Sequence, residues 1–177
     1  MFTGIVEELG TVISLKRGSK AAVLTIKANV IFEDLKLGDS VAVVFWSGTG
    51  NTGIMATKVA EGVTEAGGEA TILPADQFNA EMMDSYDAIA FGCPSMGAEQ
   101  LEESEFEPMF MECEPKLKGK KIALFGSYGW GDGEWMRTWE ETCIGDGAVM
   151  ACDFVICQET PDEEAESECK NLGKALI

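Results

Sequence analysis

The sequence predicts an α/β domain built on a doubly wound, five-stranded parallel sheet, with a β-rich extension before it. Three observations support this prediction. Strand-sized apolar runs alternate with helical periodicity after residue 40. Residues 1–40 instead contain two short stretches in which apolar and polar side chains alternate, which is typical of strands. Basic and acidic residues balance in residues 1–40, so residues 41–177 carry the whole net charge of −18. We therefore expect two domains, 1–40 and 41–177.

In the first domain, residues 11–15 and 22–28 have the alternation of two strands. Residues 16–20 (KRGSK) are rich in turn formers and predict a hairpin turn between them. Residues 37–40 (LGDS) predict a second turn. This segment is thus expected to be β-rich.

The second domain repeats a strand–helix pattern. We expect strands at residues 41–46, 69–73, 87–92, 121–126 and 148–157. We expect helices at residues 52–65, 105–117, 134–143 and 163–176. Sheets of this kind bind ligands beyond the carboxyl ends of their strands, at the point where the strand order reverses. The loops after the first, third and fourth strands are therefore the candidate site.

Composition excludes several classes of function. A net charge of −18 disfavours binding to nucleic acid and to anionic membranes, and it favours basic partners. The chain has no histidine, so no histidine can act as a catalytic base or metal ligand. Its six cysteines form no C-x-x-C pair, which argues against a zinc or iron–sulfur site. No apolar run has the length of a membrane span, and the first ten residues contain no basic residue. We expect a cytoplasmic protein with free thiols.

The first candidate loop, residues 47–52 (SGTGNT), directly follows an apolar strand and opens a helix. Its glycines let successive backbone N–H groups turn inward, and the helix N-terminus favours an anion. The loop lacks the lysine of a Walker A motif, and its glycines do not have the G-x-G-x-x-G spacing. It is compatible either with a site for one phosphate group or with an ordinary hydroxyl-rich helix start.

The second and third loops add an apolar side chain, an acceptor and an aromatic. Taken alone, residues 93–100 (CPSMGAEQ) are better explained as a plain strand–helix connection with an acidic helix cap. In residues 127–133 (SYGWGDG), glycines flank Trp130 and expose it for stacking on a planar ligand or for a protein interface. Taken together, the loops predict a flat ring joined to one phosphate, which fits flavin mononucleotide (FMN). The candidate cofactor-binding residues are Ser47, Gly48, Thr49, Gly50, Asn51, Thr52, Ser95, Met96, Gly97, Ala98, Glu99, Ser127, Tyr128, Gly129, Trp130, Gly131 and Asp132.

These motifs resemble a known family. Residues 43–52 (VVFWSGTGNT), 92–97 (GCPSMG), 101–108 (LEESEFEP) and 118–133 resemble the short-chain, clostridial-type flavodoxins, and the similarity extends over residues 41–177. The resemblance implies a flavodoxin-like sheet with strand order 2-1-3-4-5 and non-covalent FMN, with its phosphate at residues 47–52. It further implies that Met96 and Trp130 flank the ring and that Glu99 accepts a hydrogen bond from the ring N3–H. The peptide between Gly97 and Ala98 would reorient on reduction, although the family often has Asp or Asn where this chain has Ala98.

The first domain resembles a different family. Residues 1–8 (MFTGIVEE) and 37–43 (LGDSVAV) are similar to the start of the riboflavin synthase α-subunit. The similarity covers residues 1–43, about half of that family's first barrel, so it implies no catalysis. A natural fusion, an artefact of gene prediction and a deliberate chimera all fit this junction.

The resemblance to flavodoxins implies a low-potential carrier of single electrons between redox proteins, with no catalytic residue and no metal. Two alternatives stay open on sequence grounds. One is an FMN-dependent NAD(P)H or quinone reductase on the same fold, and the other is a fusion that only binds flavin. Because strands in residues 1–40 lack the partners that complete a barrel, we also expect self-association through this segment.

Overall fold

The computed structural model describes residues 11–17, 22–27 and 39–177. The chain divides into two compact units, Met1–Leu37 and Gly38–Ile177. From the sequence, this division is predicted after residue 40. Asp39 and Ser40 are bonded to the sheet of the second unit: the Asp39 carbonyl accepts from the Glu69 N–H at 3.0 Å, and the Ser40 N–H donates to the Asp87 carboxylate at 2.8 Å.

The first unit contains an antiparallel pair of strands, β1 (Thr11–Arg17) and β2 (Ala22–Lys27). Both strands were predicted, and β1 extends two residues into the segment predicted as a turn. The register pairs Arg17 with Ala22 and shifts between Val12 and Ser14. Residues 18–20 of the first predicted turn and residues 37–38 of the second lie outside the described residues, as does much of the segment expected to self-associate.

The second unit is built on a parallel sheet with five strand positions. Its strands are β3 (Ser40–Phe45), β4 (Glu69–Pro74), β5 (Ala88–Gly92), β6 (Lys121–Tyr128), β7 (Val149–Met150) and β8 (Val155–Gln158). The order is β4-β3-β5-β6, followed by β7 and β8, which both pair with β6. All pairings are parallel. The predicted 2-1-3-4-5 order is confirmed.

The last strand position is interrupted, whereas one continuous strand was predicted at residues 148–157. Strand β7 pairs Met150 with Ile122, and β8 resumes by pairing Val155 with Phe125. The last strand thus has two more residues than β6 between these two pairings, and the surplus cannot stay in the ladder. The apolar pattern of the sequence does not reveal this mismatch, because it depends on the register against β6.

Four helices cover the two faces of the sheet: α1 (Asn51–Glu65), α2 (Phe106–Cys113), α3 (Glu134–Gly145) and α4 (Glu163–Ala175). Helices α1 and α4 pack their apolar residues into one core cluster, and α2 and α3 pack into the other. The predicted helix at residues 105–117 ends early, and a 3-10 turn at Glu114–Lys116 follows it. Pro115 explains the change, because it has no N–H to donate to an α-helical carbonyl.

Helices α1 and α4 approach each other at their backbones. A Cβ added at Gly62 in α1 would lie 2.0 Å from the Lys170 carbonyl oxygen. A Cβ added at Gly173 in α4 would lie 2.1 Å from the Val59 carbonyl oxygen. Each distance is shorter than any van der Waals contact, so only glycine fits at these two positions.

Ion pairs also join these two helices. Lys170 of α4 lies 2.9 Å from both Glu61 and Glu65 of α1, and Lys174 lies 2.8 Å from Glu65. Hydrogen bonds from Lys174 and Lys170 lower the pKa of Glu65 from its ordinary 4.5 to about 2. The pKa of Glu61 is lowered in the same direction, chiefly by Lys170. These carboxylates therefore stay ionised in the folded protein at pH values where they would be protonated in the unfolded chain.

We expect the fold to lose stability on acidification partly through these groups. A carboxylate whose pKa is lower in the folded state stabilises it above pH 4.5, and this contribution is lost as the pH falls from there towards 2. In Lys170→Met, the free energy of unfolding should fall less steeply over this range. Urea unfolding between pH 6 and pH 3 would measure the slope, with Lys118→Met as a control that removes a lysine without an ion pair in residues 39–177. Equal slopes in both variants would contradict the prediction.

Candidate functional site

A cavity of about 560 Å³ lies beyond the carboxyl ends of β3, β5 and β6, where the strand order reverses. All three predicted loops contribute to its wall. The predicted residues that line it are Gly48, Thr49, Asn51, Ser95, Met96, Ser127, Tyr128 and Gly129. The other predicted residues belong to the same loops without lining the cavity: Ser47, Gly50, Thr52, Gly97, Ala98, Glu99, Trp130, Gly131 and Asp132.

The first loop leaves the N-terminus of α1 without a side-chain cap. Gly50 is the N-cap residue, with a φ of 95°, and the first turn contains no acidic residue. The Ser47 hydroxyl accepts from the Gly50 N–H at 3.0 Å and so closes the loop on itself. Helix α4, in contrast, begins at Asp162, whose carboxylate accepts from the Ala165 N–H at 2.9 Å. The first N–H groups of α1 are thus available to an external anion, and the loop fits a phosphate group.

Hydrogen bonds join the three loops to one another. The Thr52 and Ser127 hydroxyls lie 3.2 Å apart and are buried, which connects the first loop to the third. The Ser95 N–H donates to the Ser127 carbonyl at 2.9 Å, which connects the second loop to the third. Ser127 therefore lies at the junction of all three loops.

The second loop is a tight turn. Met96 and Gln100 exchange two backbone hydrogen bonds of 2.9 Å and enclose residues 97–99. Gly97 has a φ of 49° and Glu99 a φ of 53°, so both lie in the left-handed region. Residues other than glycine are uncommon in that region, and those that adopt it cluster at functional sites.

The Glu99 carboxylate bonds to the third loop. Its Oε1 atom accepts from the Gly133 and Glu134 N–H groups, both at 3.0 Å, and so caps the N-terminus of α3. A Cβ added at Gly131 would lie 2.4 Å from Glu99 Cδ, so Gly131 makes room for this carboxyl group. The Oε2 atom of Glu99 has no hydrogen bond within residues 39–177, so it is available as an acceptor.

The third loop carries the most exposed aromatic of the described residues. The Trp130 side chain is 61% exposed, and that of Met96 on the second loop is 39% exposed. Tyr128 instead packs against Trp135, with ring centroids 5.5 Å apart. Asp132 pairs with Arg137 at 2.6 Å, which attaches the loop to α3. Two apolar side chains are thus left in solvent beside the cavity, as flanking groups for a planar ligand would be.

Four residues that line the cavity were missed by the sequence analysis: Trp46, Pro94, Glu159 and Thr160. The last two belong to a fourth loop, after β8. The Glu159 N–H donates to the Tyr128 carbonyl at 2.8 Å, and the Thr160 hydroxyl donates to Asn51 Oδ1 at 3.3 Å. The sequence contained a usable signal, because the end of the fifth predicted strand lies at the same edge of a parallel sheet as the other three.

Glu159 also has an unfavourable backbone conformation, with a φ of 57°. A left-handed conformation costs a residue of this kind about 1–2 kcal/mol, whereas asparagine adopts it more readily. We expect Glu159→Asn to raise the free energy of unfolding by about 0.5–1 kcal/mol. Urea unfolding would measure it, and Glu159→Gln is the control that removes the charge but keeps the strain. A gain of equal size in both variants would assign the effect to charge instead.

The cysteines do not line the cavity. All six cysteines are free, and Cys93, Cys113, Cys143 and Cys169 are buried. Burial raises the pKa of Cys113, Cys143 and Cys169 to about 12, so these thiols stay protonated. Within the described ranges, no three metal-ligating side chains cluster. No helix there has the length and apolar character needed to span a membrane.

Comparisons with known proteins agree with this geometry. The family profile described as Flavodoxin matches residues 43–173. The flavodoxin of Clostridium beijerinckii is 47% identical over 134 residues, which is 76% of this chain and 96% of that protein. The solution structure of two-electron reduced flavodoxin from Megasphaera elsdenii is 46% identical in sequence and superposes with a TM-score of 0.71. This match covers 77% of the present chain and 97% of the Megasphaera elsdenii chain.

The N-terminal resemblance is confirmed as well. Riboflavin synthase of Bacillus subtilis is 58% identical over 43 residues, which is 24% of this chain but only 20% of that protein. This match implies no enzymatic activity for the chain, because about four fifths of riboflavin synthase lie outside the matched region. The flavodoxin match, in contrast, spans 96% of the Clostridium beijerinckii protein. The chain therefore belongs to the flavodoxin family, whose members are FMN-binding, non-enzymatic electron carriers that serve redox proteins.

Proposed function

We propose that the cavity holds FMN, with its phosphate on the first loop and its ring between the second and third loops. The observation that carries this proposal is the uncapped N-terminus of α1, which opens onto the cavity. No lysine or arginine lines the cavity within the described residues. Backbone N–H groups and hydroxyls would therefore hold the phosphate without a neutralising cation. A cradle of this kind suits a single phosphate group.

The other loops would orient the ring. Met96 and Trp130 would cover its two faces, which accounts for apolar side chains exposed to solvent at this place. Glu99 would accept from the ring N3–H through Oε2, since Oε1 is engaged by α3. The turn that encloses Gly97 and Ala98 would place a backbone carbonyl near the ring. When bound, FMN supplies the one-electron chemistry, and the protein binds, orients and shields it.

The identity of the cofactor is tested directly. The purified protein should be yellow, and mass spectrometry of the released cofactor should give the mass of FMN. The chain is also stripped of cofactor and offered FMN, FAD and riboflavin separately. Preferential binding of FAD, or no binding after reconstitution with FMN, would contradict the proposal.

Trp130→Ala should weaken FMN binding about two- to tenfold. The reason is the loss of a stacking face, which contributes about 0.5–1.5 kcal/mol beyond the area that it buries. Quenching of flavin fluorescence during titration of the apoprotein measures the affinity. Trp130→Phe keeps an aromatic face and should lose less. An unchanged affinity in Trp130→Ala would place this side chain away from the ring.

For partners, we propose basic redox proteins that dock at the acidic second unit. The support is the charge distribution, because the segment that contains the cavity carries the whole net charge of −18. Electrostatic steering of this kind speeds association and is screened by salt. Electron transfer to a basic acceptor such as cytochrome c should therefore slow as the ionic strength rises. A rate that does not depend on salt would contradict the proposal.

For residues 1–40, we propose self-association of the chain through strand edges, independent of FMN binding. Within the described part of this segment, β1 and β2 pair only with each other, and a two-stranded pair is marginal alone. A strand edge without a partner is a template for another strand. The test compares the full chain with one that begins with a new Met before Asp39, since Asp39 and Ser40 bond to the sheet. Sizing chromatography should give a larger assembly only for the full chain. A monomeric full chain would overturn the proposal.

A further inference from the structure

The side chain of Trp46 forms a hydrogen bond to Glu105, the residue directly before α2. Trp46 follows β3, directly before the first loop, and its ring is part of the cavity wall. Its Nε1–H donates to Glu105 Oε2 at 2.9 Å, although the two residues are 59 positions apart. The acceptor is a carboxylate, which makes this hydrogen bond stronger than one between neutral groups.

The position of the Trp46 ring is coupled to the first loop. A Cβ added at Gly48 would lie 2.9 Å from Cη2 and 3.1 Å from Cζ3 of Trp46. The ring therefore lies directly against the Gly48 backbone, and both residues line the cavity. A rotation of the ring would open space behind the loop that offers its N–H groups to the phosphate.

The acceptor is held in place from its own side. Glu105 donates its N–H to Glu102 Oε2 at 2.8 Å, and the same carboxylate accepts from the Ser104 and Phe106 N–H groups, both at 2.9 Å. Glu102 is buried, and Phe106 is fully buried in the core. Although desolvation opposes its ionisation, these backbone N–H groups hold the pKa of Glu102 below its usual value. The backbone of Glu105 is thus fixed to the core. The side chain of Glu105 forms the hydrogen bond to Trp46.

We propose that Glu105 is a positioning residue for the cofactor site: it fixes the Trp46 ring against the first loop and so preorganises the phosphate cradle before FMN binds. The proposal rests on the FMN site argued above. Glu105 does not line the cavity, so its effect on FMN passes through Trp46. A preorganised loop binds more tightly because less ordering is left to occur on binding.

The test uses the full-length apoprotein and measures two quantities in each variant. The first is the FMN dissociation constant, from quenching of flavin fluorescence. The second is the chemical shift of the Trp46 indole N–H in the absence of FMN, assigned by its loss in Trp46→Phe. The second quantity reports the hydrogen bond without any cofactor.

We expect Glu105→Ala to weaken FMN binding about fivefold and to shift the indole resonance. Glu105→Gln should bind FMN within about twofold of the parent, because its amide oxygen still accepts from the indole. Glu103→Ala is the matched control, since Glu103 is an exposed acidic residue of the same segment whose side chain has no hydrogen bond among the described residues. In Trp46→Phe, adding Glu105→Ala should change FMN affinity no further.

The outcomes separate the two proposals. If the parent protein does not bind FMN, the proposed function fails, and the indole shift still reports whether the hydrogen bond exists. If FMN binds equally well to all variants, the positioning role of Glu105 is overturned while the FMN site stands. The role is also overturned if Glu105→Gln loses as much affinity as Glu105→Ala, or if Glu105→Ala weakens binding equally in Trp46→Phe. Urea unfolding of each variant shows whether a loss of affinity reflects loss of the fold.

Discussion

Thr49→Asp should weaken FMN binding about 100-fold, while riboflavin binding changes by less than about threefold. Thr49 belongs to the first loop and lines the cavity. A carboxylate there would lie close to the phosphate in a loop that contains no cation. Two like charges about 5 Å apart repel by about 3 kcal/mol at an effective dielectric constant of 20. Because riboflavin has no phosphate, it escapes this repulsion.

The neutral variant Thr49→Asn is the control for this experiment. It changes the side chain by a similar volume without adding charge, so its affinity for FMN should stay within a few fold of the parent. Fluorescence titrations with FMN and riboflavin give the four dissociation constants for the two variants. If Thr49→Asp weakens the binding of FMN and of riboflavin equally, the phosphate does not bind at the first loop.

Gly62→Ala should lower the free energy of unfolding by about 3 kcal/mol. Helix propensity alone predicts the opposite, because alanine is favoured over glycine inside a helix by about 1 kcal/mol. The expected sign comes from the α1–α4 contact, where the new Cβ would lie 2.0 Å from the Lys170 carbonyl oxygen and 2.7 Å from its carbonyl carbon. Backbone atoms on both sides cannot rotate away, so the helices must separate and the core between them must loosen.

Gly145→Ala is the matched control. Gly145 is the last residue of α3, and a Cβ added there meets no atom within 4 Å. The same substitution should therefore leave stability unchanged or raise it by up to about 1 kcal/mol. Urea unfolding compares the two variants. A Gly62→Ala protein as stable as the parent would show that the helices can separate at little cost.

The fold was predictable because each strand has a recognisable apolar run in its own sequence. The run at residues 41–46 is apolar at every position, and β3 is buried on both faces as a central parallel strand should be. The break between β7 and β8 was not predictable, because it follows from the register of the last strand against β6. The apolar pattern of the last strand does not show how many residues β6 has between the same two pairings.

The candidate site was predictable to the extent that it depends on strand ends. Residues 47–52 and the loops that contain Met96 and Trp130 follow from the rule that ligands bind where the strand order reverses. Contacts between loops did not follow. The Glu99 cap on α3 joins residues 34 and 35 positions apart, and the Trp46–Glu105 bond joins residues 59 positions apart. Such pairs meet only after the sheet has formed.

The contact between α1 and α4 has a consequence for how the protein acquires its cofactor in the cell. Helix α1 begins at the first loop, yet the face that carries Gly62 is supported by α4, which the ribosome makes about 100 residues later. While residues 163–175 are still in the exit tunnel, the helix that follows the first loop lacks its packing partner. We therefore expect flavin capture to be a late event that follows synthesis of the first loop by at least several seconds, at elongation rates of about 5–20 residues per second.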